Sequence, residues 1–142
     1  MENNNGNNPQ CASGMSVVKK MYEFYKLFYG YSKAFPKKDK YTLGSKCEMY
    51  IIETMELLLA AGNAPKIEKM ACIKQVNIKF DTLKIFIRLA QDVKMLDEKK
   101  YLELQKRIQE IGRMIGGWQK SVNPAQFPGT NHPDSKPQYE VN

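Results

Sequence analysis

Residues 98–121, EKKYLELQKRIQEIGRMIGGWQKS, place Tyr101, Leu104, Ile108, Ile111, Ile115 and Trp118 at alternating spacings of three and four. That rhythm lines one narrow stripe of a helix with apolar side chains, the pattern of an inward seam in left-handed bundle packing. Asp97, just before it, is a favoured N-cap residue. The segment upstream, 67–94, repeats the rhythm with Ile73, Val76, Phe80, Leu83, Ile87 and Ala90. Earlier still, 16–34 carries Val18, Met21, Tyr25 and Phe28, while 43–61 carries Leu43, Cys47, Tyr50, Ile51, Leu58 and Ala61. Phe35-Pro36, Gly62-Asn63-Ala64-Pro65 and Met95-Leu96-Asp97 separate the four segments, and no run alternates with a period of two as a half-buried strand does. Short connections make each helix antiparallel to the next, so the pattern predicts an all-α, up-down-up-down four-helix bundle.

The ends read differently. Residues 1–14 are rich in Asn, and 123–142 contain Pro124, Pro128, Pro133 and Pro137 with almost no apolar period. Both are predicted to be disordered tails flanking a single bundle domain at 15–122. No stretch reaches the roughly 20 apolar residues of a membrane span, because Glu53 and Glu56 interrupt the most apolar run, and the first residues, MENNNGNNPQ, lack the regions of a signal peptide. The expectation is a soluble, cytoplasmic protein with no membrane partner.

Apolar residues outside the seams raise the question of self-association. Ile78, Ile85 and Leu89 lie off the seam of the third segment, and Val17, Phe24, Leu27 and Tyr31 off that of the first. In a monomer they would form an extended exposed patch, which soluble monomers rarely carry. A homo-oligomer accounts for them; so does a wider buried face within one bundle.

Catalytic chemistry has little to build on. The single histidine, His132, sits in the proline-rich tail, so neither a Ser-His-Asp nor a Cys-His pair can be assembled on the helices. Cys11, Cys47 and Cys72 are far apart, with no CxxC pair to suggest zinc. Glu53 and Glu56 invite comparison with di-metal bundles, but the Glu-x-x-His repeats those sites need are absent. Gly116-Gly117 lies toward the end of a helix rather than at the N-terminus where a phosphate loop would sit. No enzyme activity, cofactor or metal is expected.

Positive charge is better organised. The whole chain carries +7, but 21 of its basic and 12 of its acidic residues fall within 15–121, leaving +9 on the bundle. Lys99, Lys106, Arg113 and Lys120 recur every seven residues at the position farthest from the seam, flanked by Lys100 and Arg107. Lys84 and Arg88 share a face of the third segment with Lys74, and Lys33, Lys37, Lys38 and Lys40 cluster at the first connection. Such a surface suits a phosphate backbone. An acidic protein surface fits nearly as well, a lysine row is also what an ordinary solvated helix face presents, and Glu103 and Glu110 partly neutralise this one. The exposed aromatics form no evident stacking platform, so backbone recognition is expected.

Three stretches carry a family resemblance: FPKKDKYTLGSKCEMYIIETMELLLAAGNAPK from Phe35 to Lys66, TLKIFIRLAQDVKMLDEKKYLEL from Thr82 to Leu104, and IGRMIGGWQKSV from Ile111 to Val122. In order and spacing they resemble the accessory variability determinant proteins of diversity-generating retroelements, which are related to four-helix proteins encoded in intervening sequences of bacterial ribosomal RNA genes. The resemblance implies a pentameric, basic, barrel-like assembly that binds the element's reverse transcriptase and its template RNA or RNA/DNA, while the polymerase chemistry belongs to the partner. It also implies that Lys84, Arg88 and Arg113 stand at basic family positions. Arg113 is the leading candidate contact, followed by Lys84, Arg88, Lys106 and Lys120, with Lys99, Arg107 and Lys74 completing the basic set. Gly112 and Gly116 are read as permitting close helix approach and Trp118 as anchoring the seam. The alternative is the ribosomal relative, a structural or RNA-binding bundle with no polymerase partner.

Overall fold

The computed structural model describes residues 9–122, with side chains from Gly14 onward. Four long helices form the bundle: α1 (Pro9–Ser32), α3 (Ser45–Asn63), α4 (Lys66–Asp92) and α5 (Glu98–Val122). A short α2 (Lys37–Asp39) and a π-helical turn, Lys40–Gly44, lead into α3. α1 and α4 each pack on both α3 and α5, giving the expected up-down-up-down square. Among the described residues there is no strand.

Each boundary has a local cause. Pro36 disfavours helix at Phe35, and the chain turns there through Ala34 N–H to Tyr31 C=O and Phe35 N–H to Ser32 C=O, both 3.1 Å. At the other end of the bundle, α3 stops at Asn63, whose side chain donates to the Leu59 carbonyl, while the ammonium of buried Lys69 reaches back 3.2 Å to the Gly62 carbonyl. A lysine can be buried there because it meets the negative end of a helix. α4 ends in a Schellman motif: Met95 N–H bonds to Ala90 C=O and Lys94 N–H to Gln91 C=O, with Lys94 at φ 64°. Asp97 then caps α5, its Oδ1 accepting from Lys100 N–H at 2.8 Å.

The seams of α4 and α5 are those read from sequence, with Tyr101 half-buried and every other named residue buried. Two registers differ. α1 turns Val17, Met21, Phe24 and Phe28 inward, leaving Val18 and Tyr25 half-buried on the α3 side, where the Tyr25 hydroxyl donates to Glu48 at 2.8 Å. Val17 and Phe24 are therefore core residues, not part of a spare face. α3 buries Cys47, Ile51, Thr54, Leu58 and Ala61; Thr54 is tolerated because its hydroxyl returns to the Tyr50 carbonyl.

α1 also begins at Pro9 rather than near residue 16, and Gly14 lies against the indole of buried Trp118. The remainder of the tails expected at 1–14 and 123–142, including His132, lies outside the described residues. The glycine reading needs correction too. Among the described residues, a methyl added at Gly116 or Gly117 would meet nothing within 4 Å, and one at Gly112 would make ordinary contact with Phe80, so close helix approach within the bundle does not require these glycines.

Candidate functional site

The outer face of α5 is where the charge pattern and the fold coincide. Because seven residues make two turns, Lys99, Lys106, Arg113 and Lys120 stack along the side opposite the buried seam, and all four are exposed. From Lys99 to Lys120 the row extends about 31 Å along the helix at 1.5 Å per residue. Among the described residues none of these four side chains makes an ion pair.

One acid that flanks the row points elsewhere. Glu110 pairs with Lys20 of α1 at 3.1 Å, and Arg107 lies between Glu23 of α1 at 3.9 Å and Glu103 at 3.7 Å. These contacts close the α1–α5 seam and draw Glu110 off the ridge, while Glu103 still lies beside Lys99 and Lys106. The same contacts engage Arg107, which is half-buried at that seam rather than on the outer row.

The α4 cations are less available. Lys84 pairs with Asp81 at 2.7 Å and Arg88 with Asp92 at 3.3 Å, each within one turn of its own helix. Lys84 and Arg88 share a shallow groove with Tyr101 of α5, and the Tyr101 hydroxyl, then Asp92, push the guanidinium of Arg88 further toward its charged form. Exposed Lys74 makes no ion pair among the described residues. The antiparallel register, marked by the Asn77–Gln119 hydrogen bond of 2.9 Å, sets Lys74 toward the Lys120 end of the ridge and Arg88 toward the Lys99 end. Five of the eight sequence-derived candidates are thus exposed and unpaired, while Lys84, Arg88 and Arg107 are held by acids.

A second cationic row escaped the sequence reading. Lys19 and Lys26 on α1 and Lys33 in the turn just past its end also recur every seven residues, and between them stand the half-exposed rings of Tyr22 and Tyr29. Lys26 lies 5.7 Å from the Tyr22 ring centroid and Lys33 5.3 Å from that of Tyr29. The heptad recurrence that revealed the α5 ridge was present here as well.

Cys47 is buried, with its thiol pushed up to about 12 by desolvation, and is no nucleophile. Among the described residues, no group of three or more His, Cys, Asp or Glu is placed to hold a metal, and no helix is long and apolar enough to cross a membrane. What the geometry offers is electrostatic attachment along two helix faces. No curated protein matches the chain. A family model described as bAvd-like matches residues 15–122, nearly the whole described bundle.

Proposed function

The chain belongs to the bAvd-like family, and from that premise we propose that it is a non-catalytic accessory of a diversity-generating retroelement. Its role in this reading is to hold the element's reverse transcriptase and the template RNA, or the RNA/DNA copy, through cationic helix faces. The polymerase supplies the chemistry and the bundle supplies attachment. The observation that carries the reading is the family match over the bundle; the unpaired row Lys99, Lys106, Arg113 and Lys120 supports it by giving a polyanion an uncompensated surface.

Self-association is part of the same proposal. Ile78 and Ile85 are 61% and 67% exposed on α4, with Leu89 beside them, and Met49, Ile52 and Leu59 are exposed on α3. The row of exposed apolar side chains on α4 is better explained by a second copy than by water. A pentameric ring is the assembly proposed, and sedimentation of the purified chain measures it.

The deciding experiment is co-purification with the reverse transcriptase encoded nearest the gene, at low and high salt, for the wild type and for Lys106→Glu with Arg113→Glu. Both side chains are exposed, so the reversal leaves the fold intact. A complex formed by the wild type and lost on reversal supports the accessory role. No complex at any salt overturns the polymerase partnership, and a gene lying inside a ribosomal RNA operon would point to the ribosomal relative instead.

A further inference from the structure

We propose that the outer face of α1 is a stacking ladder for single-stranded nucleic acid, separate from the α5 ridge. The proposal rests on the nucleic-acid reading above and deepens it by naming the form of the ligand and a second surface for it.

Lys19, Tyr22, Lys26 and Tyr29 alternate cation and ring on the solvent side of α1, and Lys33 follows in the turn just past its end. Tyr22 and Tyr29 are 58% and 50% exposed, so each phenol ring offers an apolar surface that the bundle does not cover. Seven residues separate them, about 10.5 Å along the axis. Lys19, Lys26 and Lys33 make no ion pair among the described residues. Lys26 and Lys33 instead lie over the rings, and Tyr25 stacks loosely behind Tyr29 with centroids 6.2 Å apart. A flexible ammonium resting on an exposed ring is a weak contact; an unstacked base on the same ring is a stronger one, and it releases the lysine to a phosphate.

The alternation selects the ligand. A duplex presents phosphates but keeps its base faces stacked, so it could use the lysines and not the rings. A protein partner would welcome the tyrosines, yet lysine is depleted at protein interfaces, and here one follows each ring. A single strand uses both. At the C-terminal end of α1 the ladder continues into the connection bearing Lys37, Lys38, Lys40 and Tyr41, where Tyr41 is 71% exposed and Asp39 is the one acid between residues 33 and 44.

The test titrates the full chain with a fluorescent oligouridine and with a duplex RNA of equal length, comparing wild type, Tyr22→Ala with Tyr29→Ala, Tyr22→Phe with Tyr29→Phe, and Lys19→Gln with Lys26→Gln. Circular dichroism confirms folding, which the half-exposed rings are not needed for. Removing both rings is expected to weaken oligouridine binding by about tenfold or more while leaving the duplex unchanged, and phenylalanine is expected to restore it. The lysine pair is expected to flatten the salt dependence for both ligands. If the alanine variant binds oligouridine like wild type, or loses both RNAs equally, the ladder is wrong while the α5 reading stands. If wild type binds neither RNA, the ladder and the nucleic-acid reading fall together. Loss of reverse-transcriptase capture with RNA binding intact would make this face a protein docking surface and overturn the proposal.

Discussion

Gly44 is the residue whose side chain matters most by being missing. Its φ of −60° is ordinary, so conformational freedom is not the reason for it. A Cβ there would lie 2.9 Å from the Asp39 carbonyl oxygen and 3.2 Å from the Phe35 ring. The carbonyl belongs to the turn that converts α2 into the π segment and cannot move without opening it. Gly44→Ala is therefore expected to lower stability by roughly 1–3 kcal/mol, read as a lower urea midpoint. Cys47, three residues on, gives a pH signature. Burial raises its thiol from 9.0 to about 12, against a smaller lowering from its backbone hydrogen bond. A folded-state pKa above the unfolded one means the stabilisation is complete below about pH 9 and is lost as pH rises through 12, because only the unfolded chain then releases the proton. Over those three units the loss is about 4 kcal/mol. The Glu48 hydrogen bond raises Tyr25 and so acts in the same direction. Urea melts at about pH 8 and about pH 10.5 should show a steep alkaline loss in wild type and a shallower one in Cys47→Ala; equal slopes would dismiss the thiol as the cause.

At the scale of the element, α5 holds two glycines with no task inside the bundle. Gly116 and Gly117 lie between Arg113 and Lys120, and among the described residues nothing comes within 4 Å of the Cβ position of either. Glycine in a helix interior costs about 1 kcal/mol relative to alanine, a penalty that nothing in the bundle offsets. Replacing either with alanine should raise the thermal midpoint. If the open backbone serves a partner's close approach, the same variants should bind the reverse transcriptase less tightly, and stabilisation with unchanged binding would show the glycines to be neutral. How much of each helix the sequence revealed follows from how many rhythms it carries. α4 has one unambiguous three-four repeat, and all six residues read as its seam are buried. α1 carries two overlapping repeats that share Met21 and Phe28; the choice of Val17 and Phe24 over Val18 and Tyr25 is made by where α3 and α5 stand, which local pattern does not encode. The π turn was not legible because Lys37–Gly44 has no apolar period. The candidate cations were legible as a row, but their availability was not, since it depends on Lys20 and Glu23 of another helix drawing Glu110 and Arg107 away.

Taken whole, the molecule separates its outward charge from an apolar face. α1 and α5 are neighbours and carry outward lysine rows; α4 exposes Ile78, Ile85 and Leu89, whereas Leu59 of α3 lies beside Met15 and Val18 of α1. Charge also differs by helix: α3, with Lys46 against Glu48, Glu53 and Glu56, is net −2 and the only acidic helix among the four. Copies joined through the outer face of α4 would keep the α1 and α5 lysine rows open, and a ring would present several such rows to one strand. In the proposed assembly they would raise the effective local concentration, so that affinity for a long nucleic acid would exceed that of one copy by orders of magnitude without any new contact. Ile78→Lys with Ile85→Lys separates the two roles, because neither residue belongs to a cationic row and both are exposed enough for the bundle to fold around the change. The variant is expected to sediment as a monomer, to bind a short oligonucleotide like wild type, and to bind a long RNA about a hundredfold more weakly. If it remains an oligomer, the α4 face is not the interface. If it dissociates and still binds long RNA at full strength, attachment is a property of the single bundle, and assembly serves the polymerase rather than the nucleic acid.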